Sequence, residues 1–193
     1  MNDLREWLKA YTTLPDDAWQ DLAVALCEQH LPKGADFQRA GAMADRIAFL
    51  KHGALYARYA KECARHSVAF FNLPEVNRVV CDLSAFVDRK PASMCIKAVA
   101  DCGLLVLTRD QLYGLYDKHP SIERLGRRMA EYSYTNAMLR LARMDMGRAE
   151  RIADLQERHP EVFGTFQDQL IADYLGMTKS QFSKLKAAKL KAA

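Results

Sequence analysis

Hydrophobic and polar residues follow their clearest periodicity between Ser121 and Met146. This stretch has no proline, and Gly126 is its only glycine. Apolar residues, together with Asn136 and Arg143, recur in it at alternating steps of three and four, the repeat of a coiled-coil seam. These residues are Ile122, Leu125, Met129, Tyr132, Asn136, Leu139, Arg143 and Met146. The pattern predicts one long helix.

A single narrow stripe requires one partner helix, and a second copy of the chain is the simplest partner. The predicted dimer interface consists of Ile122, Leu125, Met129, Tyr132, Asn136 and Leu139. Within it, the amide of Asn136 is expected to fix the register of two paired helices. Packing of the same stripe on the chain's own core is the alternative, and the periodicity leaves both open.

The residues before this helix predict two kinds of structure. Residues 2–30 have helical periodicity, interrupted at Leu14-Pro15. From Leu31 to Leu107, short apolar runs alternate with turn signals, which indicates a small antiparallel barrel or sandwich. Alanine, a weak strand former, is common in these runs. Thr108 to Lys118 predicts a short helix that ends at His119-Pro120.

The segment Gln167–Ala188 has the residue order of a helix-turn-helix. Its first helix is expected to run to Leu175, Gly176 permits a sharp turn with positive φ, and Thr178 is a good N-cap for the second helix. Ala172 is small where the two helices must cross closely. The predicted shared core is Ile171, Leu175, Phe182 and Leu185. A plain helical hairpin is the alternative.

The second helix of this motif carries the candidate DNA contacts. Lysine can donate to guanine O6 and N7, and glutamine can pair with adenine through two hydrogen bonds. The predicted reading residues are Lys179, Ser180, Gln181, Ser183 and Lys184. Thr178, Lys186 and Lys189 are predicted to contact phosphate, which positions the protein without reading sequence. A solvated surface charge is the alternative for each lysine.

Composition narrows the class of protein. The 193 residues have a net charge of only +4. However, the last acidic residue is Asp173 and several lysines follow it, so the C-terminal segment is basic and suited to binding a polyanion. The five cysteines have no short paired spacing, which argues against a disulfide scaffold and against a metal cluster. The sequence has no long uncharged apolar run and no N-terminal targeting pattern. We therefore expect a cytoplasmic protein without a membrane segment.

Taken in order, these parts resemble the catabolite-activator and fumarate-nitrate-regulator (Crp/Fnr) family of bacterial transcription factors. The β-roll glycines of that family match Gly34 and Gly53, and residues 81–102 are similar to its phosphate-binding cassette. The resemblance implies an α+β fold with a cyclic-nucleotide-binding-like β-roll, a long dimerisation helix and a C-terminal helix-turn-helix without a full wing. The corresponding domains are residues 1–118, 119–147 and 148–193.

The cassette departs from the family's pattern at three positions. Cyclic-nucleotide binders carry a glycine, a glutamate and an arginine where this chain has Cys81, Asp82 and Ala92. The missing arginine removes a charge-assisted bond to the cyclic phosphate. Ser93 is retained as a phosphate donor. We therefore expect degenerate or altered ligand sensing at these four residues, no cofactor and no metal.

The resemblance implies a homodimeric transcription regulator that binds an inverted repeat in double-stranded DNA and has RNA polymerase as a further partner. The alternative is a sensory or interaction module that does not bind DNA. An enzyme is not predicted, because the histidines and acidic residues of the β region show no ligand or nucleophile spacing.

Overall fold

The computed structural model describes residues 1–60 and 68–192. Cys63, His66 and the side chains of Lys189 and Lys191 lie outside the described part of the chain. The chain begins with helices α1 (Asn2–Leu8) and α2 (Asp16–Ala25), separated at the predicted Leu14-Pro15 break.

The prediction that helix continues to residue 30 is wrong beyond Ala25. Residues Cys27–Leu31 form strand β1, which pairs antiparallel with a strand at Cys102–Thr108. Only Leu31 of β1 is buried, so the strand owes its state to the backbone hydrogen bonds of its partner rather than to its own apolar pattern.

Two four-stranded antiparallel sheets form the β-roll, as the short apolar runs predicted. The remaining strands are β2 (Asp36–Gln38), β3 (Arg46–His52), β4 (Leu55–Tyr59), β5 (Val68–Asn72), β6 (Val79–Val80), β7 (Met94–Ala98) and β8 (Cys102–Thr108), with the short helix α3 (Leu83–Asp88) between β6 and β7. The strand orders are β1-β8-β3-β6 and β2-β7-β4-β5. Alanines 48, 57 and 98 are buried between the sheets, so their strand state comes from packing rather than propensity.

Six helices follow the β-roll in the described part of the chain. They are α4 (Arg109–Lys118), α5 (Pro120–Arg143), α6 (Arg148–Arg158), α7 (Pro160–Thr165), α8 (Asp168–Tyr174) and α9 (Lys179–Ala192). Pro120 and Pro160 each occupy the first turn of a helix, where a missing N–H costs nothing. Helix α9 runs to Ala192, the last residue that the structure describes.

Among the residues that the structure describes, three groups of buried side chains hold the elements together. One joins α1, α2, α3, α4 and the start of α5, and a second fills the space between the sheets. The third joins Ala54, Val68 and Phe71 of the β-roll with apolar residues of α6 to α9. The α+β class with a β-roll, a long helix and a C-terminal helical region is confirmed.

Candidate nucleic-acid interface

The turn between α8 and α9 has the predicted geometry. Gly176 has φ +71°, and Met177 N donates to Ala172 O over 3.0 Å, which closes the C-terminus of α8. Ile171, Ala172 and Phe182 are fully buried against each other and their neighbours. The close crossing of α8 and α9 therefore depends on the small side chain at position 172.

Gly176 lies in a crowded part of this turn. A Cβ atom at this position would collide with Met144 Cε and approach Arg151 Nη1 to 3.0 Å. Arg151 Nη1 itself donates to Leu175 O over 2.6 Å. Glycine is therefore favoured by the backbone angle, whereas Met144 Cε is the end of a flexible side chain that can move aside.

Gly176→Ala should lower the free energy of unfolding by about 1–3 kcal/mol, because alanine at φ +71° is strained. Gly164→Ala is the matched control, since a Cβ there meets no atom within 4 Å and the position is in a helix. It should leave stability unchanged or raise it by up to about 1 kcal/mol. Urea denaturation measures both, and equal effects would mean that Gly176 is not required.

Thr178 caps α9 through a reciprocal pair of hydrogen bonds. Gln181 N donates to Thr178 Oγ1 over 3.2 Å, and Thr178 N donates to Gln181 Oε1 over 3.0 Å. This confirms the predicted cap. It also occupies the Gln181 amide oxygen, which the predicted adenine contact would need. Gln181 is therefore a capping residue, and a two-bond contact with adenine would have to share its amide oxygen with the cap.

The exposed face at the start of α9 consists of Thr178, Lys179, Ser180, Ser183 and Lys184. These residues surround the buried Phe182, which anchors the helix. Lys186 points elsewhere, because its ammonium donates to Asp168 Oδ1 over 2.9 Å and lies against the Phe182 ring. Five of the eight predicted DNA-contacting residues thus share one surface, whereas Gln181 and Lys186 make contacts within the chain and the Lys189 side chain lies outside the described part of the structure.

The first part of the predicted dimer stripe on α5 faces the chain's own body. Ile122 and Leu125 are 1% and 3% exposed in the first core, and Met129 packs against the same core. The rings of Tyr132 and Tyr11 meet at 5.6 Å. The alternative of packing on the chain's own core therefore describes this part of the stripe, and Ile122 and Leu125 have no surface left for a partner.

The last part of the stripe is only partly covered. Arg143, an unusual residue for a dimer seam, lies 3.4 Å from Asp154 of α6. Asn136 and Leu139 are exposed on the same side of α5.

A second stripe lies on the opposite side of α5. Tyr134 and Leu141 follow Tyr132 and Leu139 by two residues, about 200° around a helix. They are 66% and 62% exposed, and Ala130, which precedes Tyr134, and Ala137, which lies between the two, are also exposed. These four residues, which we call the outward stripe, have the same three-and-four spacing. The sequence pattern contained this stripe as well, but its two alanines made it the weaker signal.

Two of the four predicted cassette residues, Asp82 and Ser93, are bound to each other. Asp82, 2% exposed, caps α3 and accepts hydrogen bonds from Ser93 N, Ser93 Oγ and Met94 N over 2.8–3.2 Å. A longer bond of 3.4 Å comes from Ala85 N. The Asp82 carboxylate thus takes up donors that a bound anion would need.

The other two cassette residues are also enclosed. Ala92 is buried, and its backbone N donates to Ala42 O over 2.8 Å. Burial and the neighbouring Asp82 carboxylate raise the pKa of the Cys81 thiol far above its ordinary value. Cys81 is therefore a neutral core residue.

Two further observations concern only the residues that the structure describes. No three of their His, Cys, Asp or Glu side chains come together as a group that could hold a metal ion. None of their helices combines the length and the hydropathy of a membrane span.

No family model and no curated protein matches the sequence. Solved structures do match. FixK2 from Bradyrhizobium japonicum has a TM-score of 0.72 at 18% identity, with 86% of this chain and 85% of that chain covered. CLP, a c-di-GMP-responsive global regulator of Xanthomonas campestris, has a TM-score of 0.70 at 14% identity, with 92% of both chains covered.

The Thermus thermophilus catabolite activator protein has a TM-score of 0.58 at 14% identity, with 93% of this chain and 85% of that chain covered. Identities this low compare folds rather than functions. The resemblance seen in the sequence is confirmed at that level, and the chain has the fold of the Crp/Fnr transcription regulators.

Proposed function

We propose that the protein is a homodimeric transcription regulator that reads double-stranded DNA with α9. The observation that carries this proposal is the capped helix-turn-helix whose exposed face presents Lys179, Ser180, Ser183 and Lys184. Lysine and serine side chains at the start of the second helix are suited to contact base edges in the major groove and the phosphates beside it.

The charges of the motif support this assignment. Its two acidic residues near the reading helix are already paired, Asp168 with Lys186 and Asp173 with Arg58. No acidic residue follows Asp173 in the sequence. The positive side chains that α9 presents to DNA are therefore not neutralised by any acidic residue later in the sequence than Asp173.

A second copy is proposed to pair through the outward stripe, instead of through Tyr132, Asn136 and Leu139. Its large and small residues alternate as Ala130, Tyr134, Ala137 and Leu141, so two copies related by a two-fold axis can interdigitate. Such a dimer presents two α9 helices to an inverted repeat with half-sites about one DNA turn apart. Contact with RNA polymerase stays a prediction of the resemblance.

The sensor domain is proposed to work without a cyclic nucleotide. The Asp82 carboxylate holds the donors of the cassette, and Ala92 supplies no charge for a cyclic phosphate. We therefore expect equal operator affinity with and without cyclic AMP. A rise in affinity on adding cyclic AMP would contradict this part of the proposal.

Lys184→Ala should lower the ratio of operator affinity to random-DNA affinity by roughly tenfold, since a base contact contributes about 1–3 kcal/mol of discrimination. Lys186→Ala is the control, because its ammonium is bound to Asp168, and the ratio should stay unchanged. Fluorescence anisotropy at two salt concentrations measures both ratios. An unchanged ratio for Lys184→Ala would remove it as a base reader, and salt-insensitive or absent DNA binding would favour an interaction module.

A further inference from the structure

The helix-turn-helix is packed directly on the β-roll. Phe71 of β5 lies 4.2 Å from the Phe166 ring and 5.0 Å from the Tyr174 ring of α8, measured between centroids. Val68 of β5 is buried in the same core as Ile171 of α8. The sheet edge β4–β5 and the first helix of the DNA-reading motif therefore share one hydrophobic core.

An ion pair joins the same two elements. Arg58 Nη2 of β4 donates to Asp173 Oδ2 of α8 over 2.8 Å, across 115 residues of sequence. The other oxygen of Asp173 accepts from Gln169 Nε2 over 2.8 Å. Asp173 is buried, whereas the Arg58 side chain is 39% exposed. Because the Asp173 carboxylate is little exposed, loss of its partner Arg58 would leave a buried charge unpaired.

Arg140 ties the long helix α5 to both elements. Its Nη2 atom donates to Val68 O of β5 over 2.7 Å and to Tyr174 O of α8 over 3.2 Å. Its guanidinium also lies 4.4 Å from the centroid of the Tyr174 ring. The β-roll, the long helix and the first helix of the reading motif thus meet at one side chain.

We propose that Arg58, Arg140 and Asp173, which we call the clamp, are positioning residues that set the angle of α9 relative to α5. α8 and α9 move together, since they are joined by the Gly176 turn and a buried core. Holding α8 at Asp173 and Tyr174 therefore holds the reading helix. In a dimer paired along α5, that angle decides the distance between the two reading helices.

This inference rests on the proposed function and predicts a property beyond base reading. The clamp should determine which half-site spacing the dimer prefers, whereas the residues of α9 determine which bases each half-site contains. Losing the clamp should relax spacing selectivity and leave the base preference within a half-site unchanged. If the clamp contributed only to stability, its loss would not separate spacing selectivity from base preference.

The test compares operators that differ only by one or two base pairs between the half-sites. Wild type should prefer one spacing by at least about tenfold. Arg58→Asp and Asp173→Arg should each lose most of that preference, because like charges replace the pair, and the double variant should recover it. Arg39→Asp is the charge-matched control on the β-roll, where the arginine side chain is 81% exposed, and it should behave as wild type.

Two results would overturn the inference. One is a wild-type spacing preference in both folded single variants, and the other is no recovery in a folded double variant. Should a charge-reversed chain fail to fold, Arg58→Ala removes the bond without adding a like charge and must still relax the spacing. If wild type itself binds no operator, the proposed function fails, which is a different result from an unchanged spacing preference.

Discussion

Replacing Leu141 by glutamate is expected to convert the dimer to monomers and to lower operator affinity by at least about 100-fold. Leu141 is 62% exposed in the single chain and is one of the two large side chains of the outward stripe. The substitution places two carboxylates in that contact, each with a desolvation cost of several kcal/mol. Each 1.4 kcal/mol corresponds to a tenfold change in affinity. Sedimentation and operator titration measure the two effects.

Leu139→Glu is the control for this prediction. Leu139 is also exposed and lies on the same helix, but about 200° away from Leu141. We expect it to remain a dimer with nearly unchanged operator affinity. The reverse outcome, a monomer for Leu139→Glu and a dimer for Leu141→Glu, would restore the predicted interface around Tyr132, Asn136 and Leu139.

Asp82→Ala should lower the free energy of unfolding by about 2–4 kcal/mol. The substitution leaves the backbone N–H groups of Ser93 and Met94 buried or half-buried without an acceptor, and it removes the N-cap of α3. Urea denaturation followed by circular dichroism measures this loss. Cyclic AMP should not restore the lost stability.

Asp88→Ala is the matched control at the other end of α3. Its carboxylate pairs with Lys90 over 2.9 Å, but both side chains are well exposed. Such a pair contributes less than about 1 kcal/mol. Equal losses for the two aspartates would mean that the Asp82 carboxylate does not organise the cassette.

The helix-turn-helix could be predicted from the sequence because its signals are local. Gly176, Thr178 and Phe182 lie within seven residues, and each has one physical role in the turn, the cap or the core. The boundary at His119-Pro120 is local in the same way. Strand β1 depends instead on a partner that begins at Cys102, and no pattern within Cys27–Leu31 reveals it.

The sequence could not decide which face of α5 is free. Both stripes repeat at steps of three and four, and only the folded chain shows that α1, α2 and α4 share a core with Ile122, Leu125 and Met129. The sequence also could not show that the Gln181 amide oxygen binds Thr178 N and that the Lys186 ammonium binds Asp168, because both bonds depend on side-chain geometry. The clamp joins residues from β4, α5 and α8, so only the folded chain brings it together.

Selection of genomic DNA fragments by the purified protein without added ligand tests the central proposal most directly. We predict enrichment of an inverted repeat whose half-sites lie about one helical turn apart. That result requires a DNA-reading dimer and a sensor domain that needs no nucleotide. Absence of any enriched sequence, both without ligand and with cyclic AMP, would contradict the proposal that α9 reads DNA.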